Sequence, residues 1–466
     1  RVLFRSIGRP AADRFAGTLL PCRNGCVPDA CPLSHQTTPD ESAPPLQAGR
    51  ASWRLWLAVL AAGVAGGLAG ILLIGLLRLV QHLAYGYGGG HLISPVSFLQ
   101  GVTAASPLRR WLVMLCCGVV AGAGWWALRR FGRPLVGISR TLTAGGASLP
   151  TGSTLMHALL QVVTVALGSP LGREVAPREV AAVATQAVAD RLGLAADERR
   201  LVVACAAGAG LAAVYNVPLG GALFVLESLL LSFSWRGALS ALASSAIAAA
   251  LAERVLGHGW QYHIPVWSST HGLLWWSLLV GPLLGVAAAG FDRLTDWARH
   301  RAPTDGRILP WSLGVFGVIG LCGMIYPQVL GNGRGPVAES FGACIGLQLA
   351  VTLLLLKLFA VGAALRAGAG GGLLTPSLAI GALAGLVLGQ LWNIVSSVPT
   401  AAGAFALVGG CAFLAASRKM PITALVLSLE FTHVGYDFLV PMMVAVVGAC
   451  LARHLCARAG ARPAAG

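Results

Sequence analysis

The chain has 466 residues, of which 56% are hydrophobic and only 11% charged, with a formal net charge of +16. Soluble domains carry about 25% charged residues, so this composition excludes an ordinary soluble globule. It also argues against nucleic-acid binding: the basic residues sit at the ends of apolar segments (Arg129 and Arg130, Arg199 and Arg200, Arg299 and Arg301, Arg453 and Arg458) in a loop and headgroup pattern instead of forming one patch.

In chain order, residues 1–50 come first and are rich in Pro and Arg. They contain Cys22, Cys26, Cys31 and His35, but no second Cys pair, so a disordered tail is expected in place of a metal site. The chain opens on Arg, as a fragment or a mis-set start would. No metal and no cofactor is expected anywhere. From residue 52 to residue 457 long apolar runs recur, such as LWLAVLAAGVAGGLAGILLIGLLRLV (55–80), WLVMLCCGVVAGAGWWAL (111–128) and LQLAVTLLLLKLFAVGAAL (347–365). Each is near the ~20 residues that span a bilayer. The short alternating strands of a barrel are absent, so the fold class is an all-α polytopic membrane protein, multi-pass in the cell (inner) membrane. Basic residues are spread too evenly to fix its orientation. The lone Cys116, Cys117, Cys205 and Cys411 read as small hydrophobes. The small residues of 63–70 (GVAGGLAG) suit close helix packing, and those of 238–253 suit a homodimer interface. Runs 153–168 and 402–416 are too short to span, and broken helices inside a membrane are tolerated only where protein covers them or where they line a cavity. Residues 461–466 form a short tail.

The sequence repeats itself. LAAVYNVPLGGALFVLE (211–227) and LAASRKMPITALVLSLE (414–430) both fit L-A-A-x4-P-x8-E, and upstream of each a Gly-rich turn ends in Pro: GREVAP (172–177) and GGLLTP (371–376). Within a transmembrane domain of 51–460, two halves of about 52–256 and 272–460 therefore carry one element order. Such repeats place a site at the interface between them. Arg173, Glu174, Arg178 and Glu179 fall inside an otherwise apolar run, where charge is costly and marks function. Gly172 before them and Pro177 just behind read as a helix starting in mid-membrane, and Gly371 to Pro376 read as a second start. Two such starts facing one another offer backbone N–H groups to an anion. Glu174 at the mouth is a tethered anion that occupies the site when ionised and leaves when protonated, a gate that also carries protons. Met156 and His157 read as packing residues. Glu179 reads first as a partner of Arg178.

These residues carry a resemblance. GREVAP resembles the G-R/K-E-G-P motif of the CLC chloride channel and transporter family, and AAGAGLAAVYNVPLGGALFVLE (206–227) is very similar to one of its helix–turn–helix segments. GGLLTP resembles its G-x-F-x-P motif, and MPITALVLSLEFT (420–432) resembles a later helix. The resemblance covers about 52–460. It implies a CLC-type inverted repeat of about eighteen tilted and broken helices, and a homodimer with one pore per chain. The function it implies is transport of a small inorganic anion, chloride or a similar one, across the lipid bilayer, with protons as a second cargo. Glu174 then matches the gating glutamate, and Gly172, Arg173, Gly372, Leu373 and Leu374 match the anion site. Val136, Gly137, Ile138 and Ser139 fall where the family has a G-S-G-I-P anion motif, with Val136 at the serine.

That loss of a hydroxyl opens an alternative, a passive channel or a carrier selective for another anion such as fluoride or nitrate. The second acidic residue of the family's antiporters is absent, since Ser228 follows Glu227. Glu179, Glu227 and Ser228 remain candidates for a proton path, although Glu227 and Glu430, matched across the repeat, read more simply as helix-end partners. The family's anion-contacting C-terminal tyrosine has no evident match. An enzyme is not expected: there is no HExxH, and no paired aspartates lie in the apolar segments.

Overall fold

The computed structural model describes residues 52–87, 96–143, 146–257, 261–396 and 399–460. The expectations for 1–50 and 461–466, including Cys22, Cys26, Cys31 and His35, lie outside the described residues. Everything described belongs to one compact helical unit.

Seventeen α-helices follow one another among the described residues. The first half holds α1 (Trp53–Tyr85), α2 (Phe98–Ala104), α3 (Pro107–Phe131), α4 (Ile138–Thr141), α5 (Thr151–Ala166), α6 (Val175–Arg191), α7 (Ala196–Tyr215), α8 (Pro218–Phe224) and α9 (Trp235–Leu256). The second holds α10 (His271–His300), α11 (Ile308–Ile325), α12 (Arg334–Phe341), α13 (Leu347–Arg366), α14 (Leu374–Val395), α15 (Ala402–Arg418), α16 (Pro421–Thr432) and α17 (Leu439–Gly460). Among the described residues, eight helices are long and apolar enough to cross a membrane. α5, α15, α16 and the stretch Pro218–Leu230 that includes α8 are apolar but shorter, at 10–17 residues. The ends follow local rules: Ser52, Ser97 and Ser106 cap α1, α2 and α3, and Pro107 opens α3 at a position where its missing N–H costs nothing.

Packing explains the small residues. α7 is buried along its whole length from Leu201 to Tyr215, as α15 is from Gly403 to Ser417, and a helix that is apolar on every face belongs in the core of a bundle. A neighbouring backbone reaches such a helix only where both surfaces are small. A methyl group at Gly66 of α1 would lie 2.6 Å from Ala209 Cβ of α7, and one at Gly409 of α15 would lie 2.6 Å from Gly385 Cα of α14. The run 63–70 thus does what its composition suggested. The run 238–253 buries one face inside the chain and leaves Leu239 and Leu242 exposed on another. Ser240, Ala241, Ser244, Ser245, Ala248 and Ala249 of α9 are buried within the chain, where α9 packs against α1 and α7. Small residues in a membrane helix seek any close neighbour, and here that neighbour is intramolecular.

The repeated L-A-A-x4-P produces one turn twice. α7 ends at Asn216 and α15 at Lys419, both left-handed, with φ of 54° and 56°. Each cap N–H returns to the matched alanine, Ala212 or Ala415, and each proline opens the next helix. The repeated glutamates then exchange partners. Both carboxylate oxygens of Glu227 accept backbone N–H groups at the start of α16, Ile422 at 3.0 Å and Thr423 at 2.7 Å. Both of Glu430 accept from the start of α8, Leu219 at 2.9 Å and Gly220 at 2.7 Å. A carboxylate at a helix N-terminus satisfies orphan donors and meets a favourable dipole.

Candidate functional site

The two Gly-rich turns meet at the centre of the molecule. Gly172 and Gly372 form an antiparallel bridge, with N–H to O=C distances of 2.7 and 2.9 Å. α6 and α14 start within three residues of it, so two helix N-termini converge. Glu174 is the N-cap residue of α6, yet its carboxylate serves the other helix: Oε1 accepts the N–H of Leu374 at 2.7 Å. The residue is only 1% exposed. Oε2 accepts from the Tyr215 hydroxyl at 3.3 Å, and Tyr215 in turn lies 2.8 Å from Thr375 Oγ1. A chain of donors, Thr375 to Tyr215 to Glu174, thus supports the charged form of a buried acid.

The glycines are required by this approach: a side-chain carbon at Gly172 or Gly372 would lie 2.1 or 2.0 Å from a Glu174 oxygen. Neither neighbouring arginine pairs with the carboxylate. Arg178 donates to the Glu174 backbone carbonyl at 2.9 Å. Arg173 lies over the Tyr215 ring, 5.5 Å from its centroid, and its Nε is buried without a partner. Leu373 caps α14 and is buried beside this junction.

Cavities approach from two sides. One, of about 640 Å³, is lined by Arg78, Arg173, Arg334, Tyr215 and Tyr262 and reaches the last turns of α1 and residues of α2. Arg78 Nη1, like Arg173 Nε, is buried without a partner there, and the three arginines outnumber the two acids of the lining, Glu253 and Glu339. The other, of about 880 Å³, opens beside the last turns of α3 (Gly124 to Phe131) and the first half of α5. α2 sits at the opposite end of α3, held there by Arg110, whose guanidinium donates to the carbonyls of Val102 and Thr103. The cavities therefore lie toward opposite ends of α3.

Among the described residues the 136–139 segment makes no direct hydrogen bond to that junction, at Gly172, Glu174 or Gly372–Leu374. Val136 lines the second cavity and packs with Ile138 against Leu149, Ala182 and Val203. Gly137 caps the four-residue α4, and Ser139 is exposed. Val136 and Ile138 are half-buried, and the cluster they pack on includes Ala182 and Val183 of α6, the helix that starts at Glu174.

Glu227 has both oxygens engaged in capping α16, which departs from a role as a free proton carrier. Ser228 lies on the same π-helical turn (Val225–Leu230), its hydroxyl oxygen buried without a partner. Glu179 pairs with His157 at 2.9 Å and not with Arg178, so His157 is more than a packing residue. Tyr215, Thr375, Arg78, Arg334 and His157 are the residues that sequence reasoning missed. Tyr215 and Thr375 both lie inside quoted motifs, and a hydroxyl within a mid-membrane helix start was the available signal. Arg78 was signalled as a charge inside the apolar run 55–80, by the same rule that marked Glu174; nothing in the local sequence singles out Arg334.

The family model for the voltage gated chloride channel matches residues 117–454. The chain belongs to that family. It is 30% identical over 376 residues to the Voltage-gated ClC-type chloride channel ClcB of Escherichia coli, covering 77% of this chain and 87% of the relative, and 29% identical to that of Citrobacter koseri, covering 77% and 88%. Its fold matches a slow cyanobacterial Cl−/H+ antiporter with a TM-score of 0.75 at 19% identity, covering 87% of this chain and 95% of the other. It matches a CLC-type fluoride/proton antiporter at 0.61 and 17% identity, covering 87% and 98%. As a CLC protein this chain is a multi-pass anion transporter or channel of the membrane.

Proposed function

We propose that this CLC protein carries chloride through a pore in each chain, with Glu174 as the gate and protons as the coupled cargo. One observation carries the reading: the Glu174 carboxylate, fully buried, accepts the first N–H of α14 from across the repeat interface. A helix N-terminus is an anion site, and a tethered carboxylate there competes with a free anion. Protonation removes the charge that holds it, so opening the site takes up a proton. Chloride enters from the arginine-lined cavity, drawn by a field that concentrates anions.

The resemblance supports a homodimer in the inner membrane. The exposed Leu219 and Ile422, on the adjacent short helices α8 and α16, offer it an apolar face. A second reading, selectivity for another anion, is favoured by Val136, which leaves no hydroxyl at the position where the family motif has serine. The Tyr215 and Thr375 hydroxyls are the donors nearest to the Glu174 carboxylate in its place. The test is efflux of chloride, fluoride and nitrate from liposomes holding the purified protein, with pH recorded together. Chloride efflux with proton movement in the opposite direction is expected. Fluoride or nitrate outrunning chloride would establish the second reading, and anion movement no faster than from empty liposomes would overturn both.

A further inference from the structure

The second cavity poses a question that the gate does not answer: how a proton from that side reaches an acid sealed at the helix junction. α5 runs the distance. Its residues Thr151 to Ser153, Met156 and Leu160 line the second cavity, and Val165 near its other end lines the first. Between Met156 and Leu160 stands His157. Its Nδ1 lies 2.9 Å from Glu179 Oε2 on α6 and 2.9 Å from Gln161 Nε2, while Gln161 Nε2 also lies 3.2 Å from Glu179 Oε2. Gln161 is fully buried, and the His157 and Glu179 side chains are 15% and 12% exposed.

On its far side the imidazole Nε2 faces the loop that carries the second helix start. It and Trp125 Nε1 each lie 2.9 Å from the point where a side-chain carbon of Gly370 would be, two residues before Gly372. Trp125 Nε1 and Gln161 Oε1 are buried without partners. A histidine and a carboxylate thus sit between an open cavity and the loop that Glu174 touches, among polar atoms with unused hydrogen-bonding capacity.

The triangle has two satisfied states. With a proton on Nδ1, His157 donates to the Glu179 carboxylate. With the proton on Glu179, the acid donates to Nδ1, and the Gln161 amide holds the carboxyl group in place. Neither state strands a donor, so the proton passes between them without the penalty of an unpaired buried group. The charged and titratable groups facing the pair are few. α6 contributes Glu179 and, through space, Arg178. α3 contributes the neutral Trp125 indole, and the 370–372 loop contributes backbone.

We propose that His157 and Glu179 are the proton-loading pair for Glu174 on the side of the second cavity. A hydronium ion in that cavity passes its proton along water to Nε2, on the face of the ring toward Gly370, forming an N–H bond and leaving water. The Nδ1–H bond then breaks as the Glu179 Oε2–H bond forms. Glu179 passes that proton through water to the Glu174 carboxylate and returns to its anionic form, and the imidazole regains its Nδ1–H form by giving up the Nε2 proton and taking one at Nδ1 from water. One proton moves and no electrons change hands. The last transfer follows the start of α6, where five residues span about 7.5 Å of helix axis.

This rests on the reading of Glu174 as the gate, and the test separates the two. His157→Gln, Glu179→Gln, Glu179→Asp, Ser228→Ala and Glu174→Gln proteins are reconstituted, and chloride and proton fluxes are recorded together. The expected result is a proton flux at least tenfold lower in His157→Gln and Glu179→Gln, with chloride flux within threefold of the parent and partial proton flux restored in Glu179→Asp. If Glu174→Gln loses proton flux while His157→Gln and Glu179→Gln keep it, the pair is overturned and the gate stands. If the parent moves no protons, or Glu174→Gln keeps moving them, the gate reading falls and the pair with it. Chloride and proton fluxes lost together in Glu179→Gln would reduce the pair to a structural hydrogen bond. Proton flux lost in Ser228→Ala but kept in His157→Gln would move the path to the π-helical turn.

Discussion

The two helix starts at the centre share a backbone and differ in their side chains. Before α6 the chain reads Gly172-Arg173-Glu174, and before α14 it reads Gly372-Leu373-Leu374, with the two glycines bridged to each other. One start carries a charge on a long arm. The other carries two leucines and leaves the first N–H of its helix to be filled. A symmetric scaffold with two equal anion sites would have no gate. With the acid on one start alone, the first half supplies the carboxylate and the second half the N–H that it accepts; in the proposed function these are plug and socket. The matched turns diverge in the same way. Tyr215 at the end of α7 reaches the plug, whereas Arg418 at the matched place in α15 pairs with Asp292 of α10 at 2.9 Å.

The strongest way to break this asymmetry is Glu174→Gln. The amide keeps the shape of the protonated acid and cannot become the competing anion, so proton movement in liposomes is expected to fall to background while chloride flux persists. Unchanged proton movement would show that the plug lies elsewhere. Gly372→Ala attacks the socket. The added methyl would lie 2.0 Å from Glu174 Oε1, so the carboxylate must leave, and a charge-assisted hydrogen bond worth about 1.5–3 kcal/mol goes with it. Chloride flux in a bilayer recording should rise about tenfold, and an unaltered flux would mean that the carboxylate does not limit conduction.

Tyr215→Phe sharpens the comparison by removing one hydroxyl and no volume of consequence. Its bond to the plug is long, so about 1 kcal/mol is lost, and chloride flux should increase about fivefold. A decrease would show that the hydroxyl serves the anion and not the gate. The smallest effect concerns the features on which the halves agree. Glu227→Gln and Glu430→Gln each weaken a reciprocal helix cap by about 1 kcal/mol. Thermal unfolding in detergent should fall by the same few degrees in both. A much larger fall for one would mean that the caps are not equivalent.

Local chemistry made much of this protein legible in its sequence. Apolar run length declares the membrane class, because a bilayer accepts only segments that satisfy their own backbone. Gly172, Pro177 and Gly371–Pro376 declare the helix starts, because turn residues act within a few positions of themselves. Glu174 stood out because charge in such a run is costly. The α7–α8 and α15–α16 turns were written twice and read twice. What remained invisible are pairings across long separations: Glu174 with Leu374, Glu227 with Thr423, Glu430 with Gly220, and His157 with Glu179 across two helices.

No periodicity encodes such pairings. Which acid caps a helix, which plugs a site and which meets a histidine depends on where the bundle delivers each backbone. The sequence alone determined that this is an all-α membrane protein with a repeated half and an acid at a mid-membrane helix start. Only the tertiary structure decided that Val136 packs beside Ala182 of α6, that Tyr215 supplies a hydroxyl to Glu174, and that His157 stands beside Glu179. The physical reason is that helix ends are set by neighbours in the chain, whereas a buried polar group takes whichever partner close packing brings within about 3 Å.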